Sequence, residues 1–153
     1  MFDRLLPRRI DNTFPGRTPA LWLFGLLLLA KAAMSLNSIF NGYAVATSAD
    51  GIPLDAYTPA AARTVLSLFA LLALCQLVMC LLGLLALVRY RAMVPLLFAL
   101  FLLEFACRRL VLLAMPIART GRPPGVFVNL ALLVVMVLGL ALSLWRRGDP
   151  GTQ

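Results

Sequence analysis

The sequence predicts an all-α membrane protein: a bundle of four transmembrane helices with both termini in the cytoplasm. Three observations carry that prediction. Hydrophobic residues fill 62% of the 153 positions and charged residues only 13%, against about 45–50% and about 25% in a typical soluble domain. Four windows are apolar enough and long enough to cross a bilayer as helices, which takes about 20 residues each. Basic residues flank those windows unevenly. A soluble enzyme is excluded, because a globule of this composition would leave large apolar patches in water. A disordered regulator is excluded as well, because it needs low hydrophobicity.

The whole chain, 1–153, reads as one integral membrane domain. The first window, 20–40, opens after Pro19 and is interrupted by Lys31. An outer loop, 41–61, follows. Its Asp50-Gly51 and Ile52-Pro53 steps are turn signals, and it is expected to cap the bundle. Thr58 has the chemistry of an N-cap, so the second helix is expected to start near Pro59, before its apolar window at 62–88. The third window, 93–115, holds Pro95 in its first turn, where a missing N–H costs little. It carries Glu104, Arg108 and Arg109 and closes at Pro116. Gly121-Arg122-Pro123-Pro124-Gly125 is a loop, and the fourth window runs over 126–145. Strands are not expected, since no window alternates apolar and polar residues.

Orientation follows the distribution of arginine near the ends of the windows. With the N-terminus in the cytoplasm, that side holds Arg4, Arg8, Arg9, Arg17, Arg89, Arg91, Arg146 and Arg147. The opposite side holds Arg63, Arg119 and Arg122. Trp22, Tyr90 and Trp145 fall at the inner interface and Tyr43 at the outer one, as amphipathic rings do. Arg8 and Arg9 precede the first apolar window, but that window ends well before Ala44-Val45-Ala46, so no cleaved signal is expected. Lys31 is the one lysine among 14 basic residues. Such arginine-heavy usage points to a GC-rich bacterial genome, and so to a bacterial inner membrane. The net charge of +8 suits anionic lipid headgroups rather than nucleic acid.

The chain has no histidine. Imidazole is the commonest metal ligand and the usual proton-transfer group near neutral pH. His-ligated haem, His-ligated iron and zinc, and Ser-His or Cys-His nucleophiles are therefore excluded, and no cofactor or metal is expected. Cys75, Cys80 and Cys107 form no C-x-x-C pair and read as buried small apolar residues.

Charges inside spans are costly and mark candidate sites. Lys31, Gln76 and Glu104 lie near the middle of the first three windows, with Arg108 and Arg109 nearer the outer face. These five form the predicted intramembrane cluster. Asn37 and Asn129, with Asp50 and Asp55 folding back from the loop, form a predicted outer polar layer. Lys31, Ser35 and Ser38 share one helical face, as do Asn129, Met136 and Ser143. Glu104 and Arg108 stack at i, i+4.

Three functions fit these residues. The first is a non-enzymatic accessory or scaffold subunit, in which the charges hold the bundle or a membrane-protein partner. The second is a binder or carrier of an anionic lipid-like ligand in an outward-facing polar cavity. The third is an intramembrane enzyme using Glu104 and Arg108. Glu104-x-x-x-Arg108 resembles a five-residue fragment of the motif of the membrane-associated eicosanoid and glutathione enzymes, which are also four-helix proteins. Those enzymes carry the motif on their second span, and the rest of their pattern is absent here. With no complete catalytic constellation in the chain, the first reading is expected to hold.

Overall fold

The structure is a computed structural model and describes Leu5 and residues 11–14, 16–121 and 123–145. Four long helices make up most of it: α1 (Pro19–Phe40), α2 (Pro59–Arg89), α3 (Val94–Ala114) and α4 (Gly125–Leu144). There is no strand among the described residues. Each helix begins and ends within three residues of its predicted window. Arg4, Arg8, Arg9, Arg122, Arg146 and Arg147, which enter the orientation argument, lie outside the described residues.

Local chemistry sets these boundaries. Proline stands in the first turn of α1, α2 and α3, where no intrahelical bond needs its N–H. Thr58 has extended backbone, and its hydroxyl accepts from the Ala61 N–H at 3.3 Å, closing the start of α2 as expected. α3 stops at Met115, which leaves the helical region (φ −131°, ψ 77°) because the next residue is Pro116. The outer loop is more structured than its turn signals suggest. A short helical turn, Gly42–Ala44, runs into a π-turn, Val45–Ala49, closed by the Asp50 N–H donating to the Val45 carbonyl at 3.1 Å. The single widened turn re-aims the chain, and Gly51, at φ 70°, completes the reversal.

The helices run antiparallel in sequence. One end of the molecule, the arm end, gathers residues 11–14 and 16–18, the α2–α3 connection and the end of α4. There Arg17 N–H donates to Leu142, Ala92 N–H donates to Asp11, and the Arg17 guanidinium lies 5.0 Å from the Trp145 ring centroid. The other end, the loop end, carries residues 41–58, 115–121 and 123–124. They are tied together where the Thr120 N–H donates to the Gly51 carbonyl at 2.8 Å. α1 packs on α2 and on α4, and α3 packs mainly on α4. α2 and α3, though consecutive, touch little.

The core fills the half nearer the arm end. Phe24 of α1 meets Phe98 of α3 edge-on at 4.9 Å between ring centroids, with Phe101 beside them. Leu27, Leu28, Cys80, Ala86, Val94, Leu97 and Met136 complete this cluster. Two glycines allow the close packing. A Cβ on Gly139 would sit 2.2 Å from the Phe98 ring, and one on Gly83 would sit 2.5 Å from Leu28. A smaller cluster of Ala46, Ile52 and Leu54 seals the loop against the start of α2. The outward faces are apolar and exposed, with Trp22, Leu29, Leu72, Leu110 and Leu113 among them. α1, α2 and α4 are long and apolar enough to cross a membrane. α3 has a similar length of 21 residues but carries Glu104, Arg108 and Arg109.

The cysteines depart from expectation. Cys80 is buried, but Cys75 and Cys107 are exposed on the helix surfaces. The five-residue spacing of Cys75 and Cys80 does place them on different faces, and only one of those faces is covered.

Candidate functional site

At the level of Lys31 the aromatic core gives way to polar side chains. Lys31 Nζ donates to Gln76 Oε1 of α2 at 3.3 Å and to Glu104 Oε2 of α3 at 3.4 Å. It also lies 5.2 Å from the Phe101 ring centroid, in cation–π range. Glu104 Oε1 takes Arg108 Nη2 at 2.5 Å from the next turn of α3. One carboxylate therefore serves two cations on two helices. Gln76 passes the network on weakly, its amide facing Cys80 Sγ at 3.9 Å. The Ser35 hydroxyl is turned back to the Lys31 carbonyl at 2.8 Å, as hydroxyls within helices often are.

Between this network and the outer loop the molecule is hollow. A cavity of about 320 Å³ draws walls from all four helices. Lys31 and Gln76 lie at its deep end, Asn37, Arg108 and Asn129 along its sides, and Ala49 and Asp50 over it. The π-turn and the start of α4 make this roof. A Cβ on Gly125 would sit 2.6 Å from the Ala49 carbonyl oxygen and 3.2 Å from Asp50 Oδ1, so only glycine lets α4 begin beneath the loop. The rim includes Met34, Leu72 and Val128, all exposed on the outward faces, so the cavity opens sideways as well as toward the loop end.

Its electrostatics are cationic near the floor. Lys31 and Arg108 outweigh Glu104 by one charge. Asp50 can cancel that excess when ionised. Burial pushes the Asp50 carboxyl above the ordinary carboxylate range, against the opposing pull of Arg119 and Arg108. Several donors stay available. Arg108 spends one nitrogen on Glu104, and its side chain is more than half exposed. The Asn129 side chain makes no hydrogen bond among the described residues. Asn37 uses its amide oxygen to accept from Asn41 at 2.8 Å and keeps its N–H groups.

The structure therefore places Lys31, Gln76, Glu104 and Arg108 near one another, with Asn37, Asn129 and Asp50 on the adjoining cavity. Two predicted members stand elsewhere. Arg109 is the neighbour of Arg108 on a helix that turns about 100° per residue, and it faces away from the cavity, near Arg119. Asp55 accepts from the exposed Tyr43 hydroxyl at 2.5 Å instead of covering the cluster, because the turn Leu54–Ala56 carries it outward. That bond raises the Tyr43 phenol above its ordinary value. Sequence reasoning missed Phe101 and Gly125. The i, i+3 spacing of Phe101 and Glu104 places the ring one turn from the carboxylate and was the available signal. Nothing in the Pro-Pro-Gly run showed what Gly125 approaches.

Comparison with protein-family models, with curated proteins and with solved structures found no match for this chain. No group of three or more His, Cys, Asp or Glu side chains among the described residues could hold a metal ion.

Proposed function

We propose that this is a four-span protein of a bacterial inner membrane, with both termini cytoplasmic, that binds the anionic head of a lipid-like molecule in its polar cavity. One observation carries the reading. The cavity brings Lys31, Arg108, Asn37 and Asn129 from three helices around one space of about 320 Å³, near the lower end of small-molecule sites. A guanidinium with spare N–H groups beside two amides suits a carboxylate or phosphate. The sideways rim of Met34, Leu72 and Val128 lets an apolar tail leave toward the bilayer. In the four-span topology α3 crosses beside α4, and Lys31 of α1 offsets its Glu104.

The test is native mass spectrometry of protein extracted gently from its own membrane. Single-chain probes are then added: oleate, lysophosphatidic acid and the zwitterionic lysophosphatidylcholine. The wild type should carry a discrete added mass and prefer the anionic probes. Arg108→Gln and Asn129→Ala should each lose that preference while keeping the wild-type melting profile. Equal retention of all three probes by the wild type, or unchanged anionic preference in both variants, would overturn the reading.

A second reading, an accessory or scaffold subunit, draws on the same ion network. Lys31, Gln76 and Glu104 tie α1, α2 and α3 to one another, and such bonds average about 0.6 kcal/mol each in membranes. A bare subunit mass, or one carrying only a protein partner, favours it. An enzymatic role for Glu104 draws no support from the geometry, since Lys31 and Arg108 engage both of its oxygens.

A further inference from the structure

We propose that Arg109 and Arg119 form a second anion site, a seat for the phosphate of an anionic phospholipid at the loop end. Arg109 points out of the bundle, and Arg119 follows the break at Pro116. The two line a cleft of about 170 Å³ whose other walls are Leu112, Leu113, Pro116 and Ile117. Neither arginine side chain makes a hydrogen bond or ion pair with another described residue. Arg119 feels Asp50 only at a distance, through the field that opposes the rise of the Asp50 carboxyl.

An arginine facing lipid without a partner is costly unless it reaches the interface. Arg109 stands five residues before the end of α3 at Ala114, about 7.5 Å along the axis. Its side chain can cover that distance by snorkelling toward the loop end. Pro116 stops the helix, and the chain brings Arg119 back over the same spot. Two guanidinium groups with ten donors between them then face a plane that, in a bilayer, is filled with phosphodiesters. Leu113 is 78% exposed and Ile117 45%, so the body of a glycerolipid has an apolar wall below its headgroup. Two uncompensated positive charges favour lipids of net negative charge over zwitterionic ones.

This inference does not use the cavity, but it rests on the proposal that α3 crosses the bilayer. The experiment is native mass spectrometry of the full chain released from nanodiscs of dioleoyl phosphatidylglycerol and dioleoyl phosphatidylcholine in equal amounts. The wild type should retain phosphatidylglycerol preferentially. Losing an arginine near a charged lipid surface weakens attraction about fivefold, so Arg119→Gln should cut the preference clearly and Arg109→Gln/Arg119→Gln should remove it. Each comparison is made in an Arg108→Gln background, which takes the guanidinium and its anion preference from the cavity, so the preference that remains is read from Arg109 and Arg119. Should the double variant fail to fold, the loop variant Arg119→Gln alone decides. A preference unchanged by Arg119→Gln overturns the proposal. So does one already lost in Arg108→Gln alone, which would assign the lipid to the cavity. Displacement by inorganic phosphate would reveal a small-anion site and would also overturn it.

Discussion

Replacing Asp50 by asparagine removes the one acid of the outer loop that lies over the cavity. Its carboxyl is held above the ordinary range by burial, so the folded chain binds that proton more tightly than the unfolded chain does. Its contribution to stability is fully present below the ordinary aspartate value, near ~4. That contribution is lost as pH rises through the raised value. The same ionisation cancels the excess positive charge beneath it. Stability and retention of an anionic probe should therefore both fall as pH climbs from about 4 toward neutrality. In Asp50→Asn both slopes should flatten. Thermal melts and lysophosphatidic acid retention across that range, on both proteins, check this. Parallel slopes in wild type and variant would show that another group titrates. Glu104 poses the opposite case. It is the single anion between two cations, and its loss strands both, whereas loss of Lys31 leaves the Arg108 pair intact.

At the scale of elements, the meeting of the π-turn Val45–Ala49 with the start of α4 governs access to the cavity. The nearest atom to a methyl group on Gly125 is the Ala49 backbone carbonyl oxygen, which cannot swing aside as a side chain could. Gly125→Ala should cost about 1–3 kcal/mol, as overpacking does, and should lift the roof enough to weaken probe retention. Gly25 is the control. A Cβ there would meet Leu87 at an ordinary 3.5 Å, so Gly25→Ala should be neutral or should gain up to about 1 kcal/mol of helix propensity. Denaturant titration in detergent distinguishes the two, and equal effects would discount the close approach. Boundaries at this scale were legible in the sequence because proline and threonine act locally: Thr58, Pro59, Pro95 and Pro116 each mark a terminus. The π-turn was not legible. It arises from the fit of Ala46, Ile52 and Leu54 against α2, a tertiary cause with no local signature.

For the molecule as a whole, polarity between its two ends organises the rest. Arg17, Tyr90 and Trp145 share the arm end, and the loops share the other. In the proposed topology the arm end faces the cytoplasm. A cysteine placed at Ser48, in a variant lacking the native thiols, should react with a membrane-impermeant maleimide in intact cells. One placed at Tyr90 should react only after lysis. The reverse pattern would invert the topology. The polar residues of the site were legible because charge is conspicuous among apolar runs, and helical spacing alone put Lys31 with Ser35 and Glu104 with Arg108. Their spatial grouping was less so. Arg108 and Arg109 are adjacent in sequence, yet one turns into the cavity and the other to the outer surface. That choice depends on α3 packing mainly on α4 and little on α2, and the order of helices in space is not written in four connections.

The reach of Lys31 across to Glu104 also bears on how the chain enters its membrane. In the four-span topology α3 is the most expensive segment to insert, since each charge near a helix centre adds about 2.5–3.5 kcal/mol during translocation. The cation that offsets its carboxylate belongs to the first helix made, and the glutamine beside it to the second. In that topology two of the helices that meet α3 at this network precede it in synthesis. α4, the flank on which α3 mainly packs, closes over it last. In the same topology, a stretch starting at α3 and made without α1 meets the bilayer with its carboxylate unanswered by Lys31.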